Sequence, residues 1–205
     1  MCGKRRIISM KSIEKRRMST EKMVLSAVIT ALVIVLQWLG TSTTFFGPFS
    51  TAVALIPIGI GAAICGPMIG AWLGFVFGMV VLFSGGASLF LAYNIPGTII
   101  TVLVKGIMCG LVAGLVYKLF EKVNKLVSVV IAALVCPIVN TGVFLLGCMV
   151  FFMKHANAIA SELGLGVTGM DLFLALAMAN FIFEIGLSAV LSPVFVKVIN
   201  LAKKK

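Results

Sequence analysis

Six long stretches poor in charge leave this chain few ways to fold: 23–40, 51–65, 67–84, 95–119, 126–153 and 170–201. An apolar helix needs about 20 residues to cross the roughly 30 Å of hydrocarbon in a bilayer. The first run and the last three reach that length, some with tilt. The second is shorter and contains Pro57, and it is read as a span because Cys65-Gly66-Pro67 is a turn signal after it; a re-entrant hairpin is the alternative. The segments between the runs are too short for a separate globular domain. With 61% hydrophobic and 11% charged residues, against about half and a quarter in soluble domains, the expected fold is an all-α integral membrane protein of six transmembrane helices. The expected organisation is a basic arm at 1–22, one six-helix membrane domain at 23–202 and a basic tail at 203–205.

The net charge of +11 invites a nucleic-acid reading, but the positions of the charges answer it. Eight Lys or Arg precede the first run, Lys118, Lys122 and Lys125 sit between the fourth and fifth, and Lys197, Lys203, Lys204 and Lys205 lie at the carboxyl end. With six spans these 15 of 17 basic residues share one side, against Lys154 on the other. The positive-inside rule then predicts a plasma-membrane protein with both termini cytoplasmic, and no nucleic-acid partner. The first run exceeds a signal-peptide h-region and no Ala-x-Ala-like site follows it. Five cysteines, Cys2, Cys65, Cys109, Cys136 and Cys148, show no metal-ligand or paired spacing and read as small packing residues.

Gly66, Gly70, Gly74 and Gly78 recur every four residues in the third run, and Gly106, Gly110 and Gly114 in the fourth. Such bare helix faces let backbones approach closely, which is how helices associate in lipid, and packing within the chain is expected here. The first run carries Ala27 and Ala31 near its cytoplasmic end, a face suited equally to internal packing or to a partner subunit.

Lys105 is the seventeenth basic residue, and it lies inside the fourth run. At 1.5 Å per residue it is about 14 Å below Pro96; Asn180 and Glu184 in the sixth run and Asn140 in the fifth fall within about a helical turn of the same depth. An ionised group at the bilayer centre costs about 2.5 to 3.5 kcal/mol on insertion scales, so these groups must face a cavity or one another. One reading is a central pocket that takes a carboxylate on Lys105; another is a Lys105–Glu184 ion pair that fixes helix register, with the asparagines bridging. Uncharged segments at 41–50 and 84–94, rich in glycine and aromatics, suit a lid or interface anchors, and Gln37 and Trp38 lie near the outer end of the first span. One histidine makes no metal site.

No Walker A sequence, dinucleotide fingerprint, His-Glu-x-x-His or Gly-x-Ser-x-Gly occurs, which argues against an ATPase or a soluble-type hydrolase. The chain reads as a binder that borrows its drive. It resembles the substrate-binding S components of energy-coupling-factor (ECF) vitamin transporters. The likeness runs over nearly the whole length after Met18. It rests on the basic arm, the six spans, Ala27-Val-Ile-Thr-Ala31, the stretch from Leu55 to Gly70 and Pro137-Ile-Val-Asn-Thr-Gly142. The resemblance implies a partner transmembrane coupling subunit docked at Ala27 and Ala31, two cytoplasmic ATP-binding subunits, and no enzyme activity or cofactor of its own. It also implies a subunit that topples in the membrane to carry a closed pocket inward. The ligand site it implies involves the outer loops and last three helices, which here carry Asn94, Lys105, Asn140, Asn180 and Glu184, with Gln37 as a further contributor. A lysine with modest aromatic lining favours pantothenate as substrate; riboflavin, folate or a pyrimidine are alternatives. Other classes are a lipid-modifying membrane enzyme with Glu184 as base, and a small channel.

Overall fold

A computed structural model describes residues 20–42, 53–122, 125–167 and 169–203. The basic arm up to residue 19, the 43–50 segment and residues 204–205 therefore lie outside the described residues. Every described element is helical. In order they are α1 (Thr20–Ser42), α2 (Leu55–Cys65), α3 (Pro67–Phe83), α4 (Ser88–Tyr93), α5 (Ile95–Phe120), α6 (Lys125–Phe151), a 3-10 turn (Met153–His155), α7 (Ala156–Glu162) and α8 (Met170–Lys203).

Among the described residues, three helices are long and apolar enough to cross a membrane, within Thr20–Thr41, Ile95–Phe120 and Val127–Phe151. α2 differs from the run expected from residue 51. Its 11 residues rise only about 16 Å. Every residue from Leu55 to Ala63 is buried, because α2 is enclosed by α1, α3, α5, α6 and α8. Pro57 sits in its first turn, where the missing N–H costs little. The predicted turn forms: Gly66 adopts φ +105° and Pro67 opens α3. Glycine is suited to that φ, and proline to a first helical turn.

The glycine repeats pack against each other. Gly70 meets Gly110 and Gly74 meets Gly106 backbone to backbone, Gly78 lies against Val102 and Leu103, and Gly114 against Pro67. Partner numbers fall on α5 as they rise on α3, so the helices run antiparallel. A Cβ added at Gly114 would lie 2.6 Å from the Cα of Pro67. This is the packing within the chain expected from the four-residue period. The same principle seats α5 on α6, where Gly147 faces the side chain of Thr101 and Gly97 faces Phe151.

These contacts sort the bundle into two ends. At one, the α2–α3 turn lies beside Gly114, one turn from Lys118. At the other, α4, the end of α6, α7 and the start of α8 join through a cluster of Phe90, Cys148, Phe152, Ile159, Leu172 and Phe173. The segments 84–94 and 154–169, which fall between the apolar runs, thus hold short helices. Large apolar side chains are exposed on the bundle's outside, among them Val28, Val35, Trp38, Met68, Trp72 and Leu146. That surface suits lipid rather than water. Cys109, Cys136 and Cys148 are buried free thiols, as packing residues should be.

Candidate functional site

α5, α6 and α8 bring Lys105, Asn140 and Asn180 to one depth. Lys105 is ten residues from Ile95, Asn180 ten from Met170 and Asn140 eleven from Phe151, so each lies about 15 to 16 Å from the end of its helix at the α4–α7 cap. The three line one cavity of about 270 Å³, completed by Thr141, Phe144, Leu176 and Ala177.

A second cavity, about 350 Å³, lies under α4; it is the outer of the two with respect to the α4–α7 cap, and the first is the inner. Phe90, Phe144 and Phe152 give it aromatic walls, Val81, Ala87 and Val102 aliphatic ones, and Thr98, Thr101 and Lys105 its polar face. Phe90 stands edge-on to both Phe144, at 5.5 Å between centroids, and Phe152, at 5.1 Å. Such T-shaped pairs are a favoured aromatic geometry. The two cavities share Lys105 and Phe144, and the Lys105 Nζ lies 5.4 Å from the Phe144 ring centroid. That is cation–π range.

Lys105 forms no ion pair within 4.0 Å among the described residues. Glu184 is engaged elsewhere: its Oε1 accepts a hydrogen bond from Asn180 Nδ2 at 2.7 Å and its Oε2 one from Asn140 Nδ2 at 3.4 Å. The Glu184 carboxylate thus bridges two amides, and it attracts Lys105 without a contact ion pair. Two buried polar atoms at the cavities, Thr101 Oγ1 and Asn140 Oδ1, have no hydrogen-bond partner among the described residues. Buried polar groups are nearly always satisfied, by protein, water or ligand.

The remaining expected residues are placed differently. Asn94 caps α5, its Oδ1 accepting from the Gly97 N–H at 3.0 Å and its Nδ2 donating to the Phe151 carbonyl at 3.4 Å. It lines neither of these cavities; it holds the entry of α5 against the end of α6. Gln37 is fully buried on α1 and bonds Thr41, whose hydroxyl reaches Ser84 at 3.0 Å. It too lines neither cavity. Phe144, Thr98 and Thr101 were not foreseen. Their signal was spacing, since Thr98, Thr101 and Lys105 share a helical face, as do Asn140 and Phe144.

Over the outer cavity, the Tyr93 hydroxyl donates to Glu162 Oε2 at 2.7 Å and the Tyr93 ring lies 5.7 Å from His155, joining α4 to α7. The carboxylate of Glu162 holds the Tyr93 phenol above its ordinary pKa. On α1, Ala27 and Ala31 are exposed. The hydroxyls of Ser26 and Thr30 on the same side turn back onto the carbonyls of Met23 and Ser26, at 2.9 and 2.7 Å. Both hydroxyls beside the two alanines are thus satisfied by the helix's own backbone.

A profile described as the substrate-specific component of ECF transporters matches residues 21–196, most of the chain. The chain belongs to that family. S components are transport subunits of multi-pass membrane complexes, so at family level the chain is a transport subunit rather than an enzyme, associated with an energy-coupling module and a small-molecule substrate. No curated protein matches this S component in sequence.

Proposed function

We propose that this S component binds a small carboxylate-bearing vitamin, pantothenate in our reading, between α5, α6 and α8. One observation carries the choice. Lys105 is a cation at mid-bundle depth with no carboxylate within 4.0 Å among the described residues, and it borders both cavities. A charge at that depth in the membrane costs about 2.5 to 3.5 kcal/mol on insertion scales; Glu184 attracts Lys105 without forming a contact ion pair, and an anionic ligand offsets more of that cost. Lys105, Asn140 and Asn180 would contact the ligand directly. Glu184, Asn94 and Gln37 would act behind it. The three phenylalanines of the outer cavity favour, as a second reading, a ring-bearing substrate such as riboflavin or folate.

In the same proposal the chain crosses the bilayer six times, α2 and α3 counting as two crossings around the Gly66 turn and α8 as the last. Both termini face the cytoplasm, because Lys118, Lys122 and Lys125 gather at the end away from the α4–α7 cap. Ala27 and Ala31 dock the coupling subunit, and two ATP-binding subunits supply the drive. Thermal-shift screening of the purified chain against a vitamin panel tests the substrate. Pantothenate should give a saturable rise in melting temperature. Stabilisation by riboflavin or a pyrimidine, with none by pantothenate, would overturn the choice.

A further inference from the structure

We infer that Glu184 is a positioning residue: it sets the hydrogen-bond polarity of the inner cavity, so that this end of the site takes N–H or O–H donors at Asn140 and Asn180 and an acceptor or anion at Lys105. The inference rests on reading that cavity as the substrate site, and it deepens that reading. Each Glu184 oxygen accepts from an amide nitrogen, and a side-chain amide carries its donors on one edge and its acceptor on the other. With both Asn180 Nδ2 and Asn140 Nδ2 turned to Glu184, both amide oxygens turn away from it. The reversed orientation would set a carbonyl against the carboxylate, two acceptors facing each other.

Asn140 and Asn180 line the cavity, while Glu184, 3% exposed, is behind them and outside its lining. Asn140 is itself 3% exposed, and its Oδ1 has no partner. The inner cavity therefore has amide oxygens turned away from Glu184 on its α6 and α8 sides and Lys105 on its α5 side. A ligand that presented a carbonyl to Asn140 would leave two buried acceptors unpaired, and buried sites discriminate strongly against such mismatches. A hydroxyl or amide N–H next to a carboxylate satisfies both sides.

Two measurements decide the matter. The first needs no ligand. In protein labelled with 15N-asparagine, side-chain amide resonances are assigned with Asn140→Ala and Asn180→Ala. Glu184→Gln is expected to shift the Asn140 and Asn180 signals and leave that of exposed Asn157 in place. If either site signal stays put, its amide is not oriented by Glu184 and the inference falls. The second compares pantothenate with its analogue oxidised from secondary alcohol to ketone, which exchanges a donor for an acceptor. The unaltered protein should prefer the alcohol at least about tenfold. Glu184→Gln should bring the ratio towards one, and Glu184→Asp, which keeps the carboxylate, should retain most of it. A merely structural Glu184 would lower both affinities equally and leave the ratio unchanged, contradicting the inference. Should neither compound bind the unaltered protein, the substrate reading fails and the amide resonances alone decide the orientation.

Discussion

Thr101 shows how much one atom can say about this site. It is 5% exposed, it lines the outer cavity one turn before Lys105, and its Oγ1 has no partner. A lone buried hydroxyl costs about 1 to 3 kcal/mol. Thr101→Val keeps the shape and removes that cost. The variant should melt at the same temperature as the parent or higher, while ligand affinity falls about tenfold; a clear drop in melting temperature would mean that the hydroxyl has a structural partner. Polar residues such as Lys105, Asn140 and Asn180 were legible from sequence because each is an expensive exception within an apolar run. Phe144 and Phe90 were not, since a phenylalanine in a membrane helix is ordinary and only the fold reveals which ones face a cavity. Asn94 was legible as polar but not as a helix cap, because capping depends on backbone conformation at the start of α5.

Among the elements, α3 and α5 depend most on sequence detail. Their contact is made without side chains at Gly70, Gly74, Gly106 and Gly110, so any Cβ there drives the helices apart. Gly110→Val should destabilise the protein by about 3 kcal/mol or more, read as lost folded yield and a lower melting temperature, whereas Gly142→Val, where a Cβ meets nothing within 4 Å, should be close to neutral. Equal behaviour of the two variants would refute the close contact. That seam was legible because a period of four is visible in the sequence, and so was the Gly66-Pro67 turn. The short length of α2 was not, since a continuous apolar run gives no sign of where a buried helix begins. Nor were α4 and α7, each only a turn or two long and held by neighbours rather than by its own periodicity.

At the scale of the whole molecule two surfaces stand apart. Its α4–α7 end covers the cavities, and its α1 face carries exposed Ala27 and Ala31. Bulk on that face should interfere with partners and not with ligand: Ala27→Trp or Ala31→Trp is expected to abolish uptake in cells expressing the full transporter while the solitary subunit binds as before. Unaltered transport would remove this face from docking. The distribution of charge along the chain predicts which end faces the cytoplasm, because basic residues mark a side of the membrane whatever the helices between them do. Substrate identity was not legible in this way, since it depends on which side chains from three separate helices converge. The central claim is that an anionic solute is held at Lys105. Calorimetric titration of pantothenate into the purified subunit and its Lys105→Ala variant tests it directly. The account predicts saturable binding that weakens at least about 100-fold in the variant, with folded yield and melting temperature retained. Equal affinity in the two proteins would contradict it.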